Sequence, residues 1–522
     1  KIGLIKAEKL FLRADKNDDY FGSESFEYLK SLECEIRTYY ATIQEKVLNE
    51  SYSKSEKLST ILNKLKDYSE FKTPVHECYK YKVFNERNDL AHDYSEYTYD
   101  DLLEIRELVK EKLLPKFIKA SKKFKTNKIK VRFTAPLDEN TVAARVLVAC
   151  MMETANQKYP TSQLFREKLA SLYGAELSTS ISKRGPVHYV DLNISFVRDD
   201  FLSKKNVLTD EILDILETIF FSPLVVEDHF DFETFEVEKK NTISDLESEI
   251  EEPYYYAHEQ LNQLFFEDET IKMSRLGKVD LVRQETAQST LSQFHQMLHF
   301  DNIDFFFVGD FNEVAIVDRV NQFEFKPRDN NLSVNYQQTF SNVVREKLEQ
   351  KQNQQSILEL GYHFSTQYGE PLHIPLVVLN GMLGAFSHSR LFQIVREKEG
   401  LAYTISSHFD IFTGFMRIFA GIDKEHRTKV MTMIMRQLND LKRGKFTESE
   451  LQLTKEMLVN TTLLAQDRQN TLIEREYLKT ILGTKVLSLE EWLEAINKVT
   501  KEEIIETAKT INLQSVYFME GK

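Results

Sequence analysis

Cysteine is scarce in this chain: 522 residues carry three, Cys34, Cys78 and Cys150, far apart in sequence. That excludes a disulfide framework and a cysteine zinc motif, and it suits a reducing compartment. Long apolar runs are missing too. No stretch reaches the ~20 apolar residues of a bilayer-spanning helix and no signal segment is evident, so a cytoplasmic location without a membrane partner is expected. Positive charge is in deficit. With 68 Lys and Arg against 82 Asp and Glu, the net charge is −14. This argues against general nucleic-acid binding, and suits either solubility or a chamber that receives basic peptides. The rest is an ordinary globular composition, and the length accommodates about three domains.

Residues 1–114 read as helical. Phe26, Leu29, Leu32, Ile36 and Tyr40 recur at three- and four-residue spacing, and Leu58, Ile61, Leu62 and Leu65 repeat the pattern. Thr73-Pro74 starts a third helix, and Thr98 with Asp101 starts a fourth that Pro115 interrupts. Four amphipathic helices imply a bundle. Within it, the run Arg87-Asn88-Asp89-Leu90-Ala91-His92 resembles the R-N-x-x-x-H motif of HEPN helical domains. That resemblance implies self-pairing through the helical module and a metal-independent ribonuclease site. In such a site His92 moves the 2′-hydroxyl proton of RNA and Arg87 stabilises the phosphorane. A structural alternative stands beside it, with Arg87 paired to a carboxylate and His92 at a helix end.

Beyond residue 115 the periodicity changes to that of an α+β fold. Strand-like runs at 129–133, 176–182, 187–196 and 304–310 surround an apolar helix, 142–155, and a polar one, 162–172. Residues 326–350 are polar and rich in Asn and Gln, which marks a linker. The plan then recurs over 351–522, with an early strand at 356–364, an apolar helix at 375–383 and a closing strand at 515–521.

The most informative stretch is Ser389–Tyr403, SRLFQIVREKEGLAY. Leu391, Phe392, Ile394 and Val395 give a helical apolar face, Gly400 serves as a left-handed cap, and Leu401 onward reads as a strand. The glycines Gly381 and Gly384 ahead of it permit close backbone approach. This order of elements aims Arg396 and Tyr403 into one space, where a guanidinium and a phenol can hold a peptide carbonyl or its oxyanion. The stretch resembles the C-terminal-domain signature of the insulinase/pitrilysin peptidases. In that family the matching arginine and tyrosine bind substrate.

The resemblance implies two insulinase-like α/β domains, 115–325 and 351–522, preceded by the all-α bundle. It also implies an H-x-x-E-H zinc motif on the apolar helix of the first domain. Here that segment reads Cys150-Met151-Met152-Glu153-Thr154. Glu153 survives, but Cys150 and Thr154 stand where the imidazoles belong, and the nearest match to the third ligand is Asp245, with Glu247 close by. No zinc is expected in this chain, and Glu153 can serve as a plain helix residue. His295 and His299 share a helix face without an intervening glutamate and read as a surface pair.

Resemblance to the bacterial heterodimeric members, including the group associated with aminopentanol modification of elongation factor P, implies a non-catalytic subunit. Its partner is then a zinc-bearing homologue, and the two share a peptide-binding chamber. Two alternatives remain at this level: a HEPN-type ribonuclease or toxin with a peptidase-like sensor body, and a peptide-binding scaffold.

Overall fold

A computed structural model of the protein describes residues 118–120, 123–202, 207–323, 325 and 330–522. They form mixed helices and sheets in two units. The smaller holds the short strand Ile118–Ala120 and the helix Glu313–Asn321; the larger takes in Lys123–Val308 and Phe325–Lys522 and holds both main sheets. The helices expected over 1–114 lie outside the described residues, as do Arg87, Asn88, His92, Cys34 and Cys78.

In the larger unit the first sheet comprises β1 (Thr126–Pro136), β2 (Glu176–Arg184), β3 (Val187–Val197) and β4 (Asn302–Gly309), all antiparallel in the order β4-β1-β3-β2. Strand alternation gives β1 two buried faces. Ile129, Val131 and Phe133 lie on one, where the Phe133 ring meets Phe220 edge-on at 5.7 Å. Phe220 belongs to α3 (Val207–Phe221), which follows α1 (Val142–Thr154) and α2 (Ser162–Ser171). The opposite face of β1 carries Lys130 and Arg132, which are also buried.

Three longer helices follow in the first half, α4 (Phe232–Glu251), α5 (Pro253–Phe265) and α6 (Ala287–Phe300), with two short ones, Glu269–Lys272 and Val279–Gln284, between the last two. The second sheet comprises β5 (Arg345–Lys351), β6 (Ser356–His363), β7 (Ala402–Asp410), β8 (Phe415–Ile422) and β9 (Asn512–Gly521), in the order β7-β8-β6-β9-β5. β5 takes in the last residues of the stretch read as a linker and runs parallel to β9. Leaving β5 aside, both sheets order their strands as second, third, first, last in chain sequence.

The helices of the second half are α7 (His373–Asn380), two π-helical segments (Gly381–Ala385 and Leu391–Lys398), α8 (Arg427–Lys442), α9 (Glu448–Ala465), α10 (Gln469–Leu482), α11 (Leu489–Lys498) and α12 (Lys501–Thr510). One core joins this layer to Leu358, Leu360, Met416 and Ile418 of the sheet. The two halves also exchange helices. From the first half, α5 sets Ala257, Leu261 and Phe265 against Ile357, Phe415 and Tyr517 of the second sheet. From the second half, α10 sets Leu472, Ile473 and Tyr477 against Val187, Tyr189 and Phe306 of the first. Each sheet is thus covered on its outer face by a helix from the other half.

Charge sits inside both contacts. Lys130 Nζ reaches Asp191 at 2.9 Å and Glu474 of α10 at 3.1 Å, while Arg132 meets Asp191 at 2.7 Å through Nε and Glu474 at 2.5 Å through Nη2. The Arg132 guanidinium lies 4.9 Å from the Tyr189 ring centre and 4.5 Å from that of Tyr477. On the second sheet, Arg417 pairs with Glu359 and reaches the Tyr254 carbonyl of α5 at 3.4 Å. Desolvation makes such buried clusters poor sources of net stability, but breaking one strands a charge.

Asp191→Ala leaves Lys130 and Arg132 facing Glu474 alone and is expected to cost about 3–5 kcal/mol in denaturant unfolding. Burial of Glu474 opposes its ionisation, yet the hydrogen bond and charge of Arg132, with Lys130, hold its carboxyl down at about 2. A depressed carboxyl pKa stabilises the fold above the unfolded value of about 4.3, and that stability fades as pH falls toward 2. Glu474→Gln should therefore lower stability at pH 6 and converge with wild type near pH 2; a constant gap across that range would contradict the assignment.

Candidate functional site

α1 is almost wholly apolar and buried until its last turn, where Cys150 and Thr154 are half-buried and Glu153 is exposed. The facing helix α4, capped at its start by the Asp231 side chain on Thr234 N, brings Glu238, Thr242 and Asp245 to one side at helical spacing. Cys150 Sγ lies 3.6 Å from Thr242 Oγ1, and Thr154 Oγ1 donates to Glu238 Oε1 at 3.0 Å. Burial pushes the Cys150 thiol up to about 11; the Thr242 hydrogen bond opposes this, and the negative charges of Glu238, Glu153 and Asp245 reinforce it. Glu153 does not face these groups for chemistry. Its Oε2 accepts from both Thr179 N at 2.7 Å and Thr179 Oγ1 at 2.8 Å, fastening the end of α1 to β2.

These residues do not fit a catalytic zinc. A zinc centre of this kind takes two neutral imidazoles and a carboxylate, with a free glutamate to polarise water. A protonated thiol, a threonine hydroxyl already donating to Glu238, and a glutamate held by a strand offer none of that. Among the described residues no group of three His, Cys, Asp or Glu is placed to hold a metal ion. The sequence indicated Asp245 and Glu247 on α4. Asp245 acts on Cys150 through its charge, whereas Glu247 pairs with Arg283 at 2.9 Å. Glu238 and Thr242 make the direct contacts; their i, i+4, i+7 relation to Asp245 was the available signal.

The second set of residues is built by a run of tight backbone approaches. A Cβ on Gly381 would come within 2.7 Å of Thr454 Cγ2, and one on Gly384 within 2.8 Å of Ser407 N. Gly381–Ala385, at the end of the apolar helix expected over 375–383, and Leu391–Lys398, expected as a second ordinary helix, are wound as π-helical segments, whose wider turns often accompany functional sites. Gly400 has φ +62° and closes the second segment; its N–H donates to Arg396 O at 3.1 Å and Leu401 N donates to Val395 O at 3.1 Å, a Schellman-type end. Two residues later the β7–β8 register slips between Ala402 and Thr404, so Tyr403 occupies a bulge and stands 65% exposed. The Arg396 guanidinium lies 4.7 Å from the Phe392 ring centre, and its Nε is 3.5 Å from Glu397. Both side chains reach solvent from an ordered backbone. No hydrogen bond joins them to each other among the described residues.

His295 and His299 are exposed on α6, where His299 Nδ1 lies 2.7 Å from the His295 carbonyl. The acidic run after Asp245 is spent on surface pairing and capping: Glu249 meets Arg275 at 2.8 Å, and Glu252 caps α5.

Residues 285–458, a stretch that includes Arg396 and Tyr403, match the family model of the peptidase M16 inactive domain. The chain is homologous to YmfF of Bacillus subtilis, described as a "Probable inactive metalloprotease", with 26% identity over 77% of this chain and 94% of that protein. It is 25% identical to the "Uncharacterized zinc protease YmxG" of the same organism over 56% of this chain and 70% of that one. Among solved structures, a conserved protein from Enterococcus faecalis V583 shares 37% identity with a TM-score of 0.74, covering 77% of this chain and 95% of that one. A peptidase M16 inactive domain from Pseudomonas fluorescens, 15% identical, shares the fold with a TM-score of 0.63 over 78% of this chain and 95% of its own. No helix among the described residues is long and apolar enough to cross a membrane.

The raised thiol pKa makes Cys150 a slow nucleophile. At pH 8, iodoacetamide labelling followed by peptide mapping should modify Cys150 roughly 100-fold more slowly than a thiol of pKa about 9, as two units in thiolate fraction imply. Labelling at the rate of free cysteine would mean that the α1–α4 contact is open.

Proposed function

We propose that this homologue of the peptidase M16 inactive domain is a non-catalytic, peptide-binding subunit of a heterodimeric zinc peptidase. One observation carries the reading. The metal-ligand positions of α1 are spent on internal hydrogen bonds, while Arg396 and Tyr403 are presented outward on a capped π-helical segment and a bulged strand. An inactive metal half and an intact arginine–tyrosine pair divide the labour of one active site between two chains.

In that arrangement the Arg396 guanidinium and the Tyr403 hydroxyl orient and polarise the scissile carbonyl, because both donate to a developing oxyanion. The zinc, the attacking water and the general base come from the partner, a homologue that retains H-x-x-E-H. The chamber is shared and the complex works in the cytoplasm. β2 adds a second means of holding peptide: it pairs with β3 on one side only, so its outer edge offers backbone groups to an extended chain. The Thr179 N–H is withdrawn from that edge by Glu153.

The test is metal content with peptidase turnover, for the chain alone and after mixing with an H-x-x-E-H homologue. The expected result is a metal-free, inactive chain that activates the homologue. Arg396→Ala and Tyr403→Phe should each lower turnover of the pair by about 100- to 1000-fold without releasing zinc, the range seen when an oxyanion donor is removed. Stoichiometric zinc in the chain alone, or unaffected turnover in both variants, overturns the proposal.

A further inference from the structure

A cavity of about 260 Å³, with no residue of α1 and neither Arg396 nor Tyr403 in its lining, lies where the β2–β3 turn, α5 and the β7–β8 edge meet. Its polar lining comprises Lys183, His258, Asn262, His408, Asp410 and Arg417, and its apolar walls include Phe266 and Phe415. The turn at its rim is forced by Gly185, whose φ is +53° and whose absent Cβ would fall 2.2 Å from the Val334 carbonyl oxygen.

His258 is the unusual member. The Asn262 side-chain amide lies 3.4 Å from His258 Nε2 and 3.3 Å from Glu259 Oε1, so both of its donor protons are in use and Nε2 is the accepting nitrogen. The ring proton then sits on Nδ1. That atom is buried and has no partner, and a buried N–H without an acceptor is costly. The ring is braced against Phe415, 6.3 Å between centres. The cations Arg417 and Lys183, with the His408 imidazole beside them, all disfavour protonation of His258.

Two of those cations have donor capacity to spare. Lys183 Nζ donates to Ile271 O at 2.8 Å and Met273 O at 2.5 Å, which leaves one of its three protons. Arg417 commits Nε and Nη2 to Glu359 and the Tyr254 carbonyl, and its Nη1 has no partner among the described residues. Asp410 is the acid on the lining. Its carboxylate is tied into its own turn by Phe412 N and Thr413 Oγ1, both at 2.9 Å, and its charge acts on Lys183.

We propose that this cavity binds a small carboxylate with an apolar body, of the size of one apolar amino acid. The carboxylate accepts from His258 Nδ1, Lys183 Nζ and Arg417 Nη1, and the body lies against Phe266 and Phe415. The volume sits at the small end of ligand cavities and matches one residue. Two sources share this chemistry, a free amino acid and the C-terminal residue of a peptide; in the first, Asp410 takes the ammonium group. The site uses this chain alone and is independent of any zinc-bearing partner.

The experiment is calorimetric titration of the intact chain with phenylalanine and N-acetylphenylalanine, each beside its own carboxamide. Whichever acid binds should do so at least tenfold more tightly than its amide, and His258→Phe and Lys183→Met should each remove that preference while leaving the thermal transition in place. Binding by phenylalanine but not by its acetyl derivative marks a free amino acid as the source. Binding by the acetyl derivative marks a peptide terminus. Equal affinity for acid and amide, or no heat from any of the four, overturns the proposal.

Discussion

The reciprocal cover of two sheets by two exchanged helices is the constraint on which the rest of the larger unit depends. Each sheet has a second, partly charged face that is buried as well, so neither can stand in water on its own helices alone. α5 closes the outer face of the second sheet and α10 closes that of the first. The charges beneath them pair within their own sheet, Lys130 and Arg132 with Asp191 and Arg417 with Glu359, and the opposite half completes the pairing through Glu474 and the Tyr254 carbonyl. Apolar area drives the contact, and the ion pairs decide where it stops.

The exchange also explains why both candidate sites are built from well-held backbone. α4, which carries Glu238, Thr242 and Asp245, runs directly into α5 through the Glu252 cap. The element that faces the degenerate metal motif is therefore continuous with the element that packs on the second sheet. Cys150 and Thr154 meet α4 through hydroxyl and thiol contacts, while Glu153 ties α1 to the edge strand β2. A motif that has lost its imidazoles has become a set of structural hydrogen bonds. The cavity beside His258 follows from the same geometry. It forms where α5 reaches the second sheet and the β2–β3 turn of the first half comes down beside it.

Much of this is local and is legible in the chain. Alternation in 129–133 and 187–196 fits strands with one face toward helices, and the apolar run 142–155 fits a buried helix. The left-handed turn at Gly400 and the close approaches at Gly381 and Gly384 follow from residues that lack a Cβ. The loss of the metal site is equally plain, because Cys150 and Thr154 cannot act as imidazoles wherever they are placed. Arg396 and Tyr403 are recognisable from the order of residues around them.

What the sequence by itself determined, then, is the set of elements, the mixed helix-and-sheet class, and the chemistry that α1 no longer has. Tertiary structure alone decided the partners. Nothing in the period of α5 or α10 says that each covers the sheet of the other half, since an apolar face is satisfied by any complementary surface. The pairing of Glu153 with Thr179, of Thr154 with Glu238, and of Lys130 and Arg132 with Glu474 joins residues tens to hundreds of positions apart. The π-helical winding before Gly400 accompanies close contacts with Thr454 and Ser407 that local propensity does not register. Local periodicity reports which face of an element is apolar; which distant residue meets that face is set by how the whole chain closes, and the chemistry of the sites is decided there.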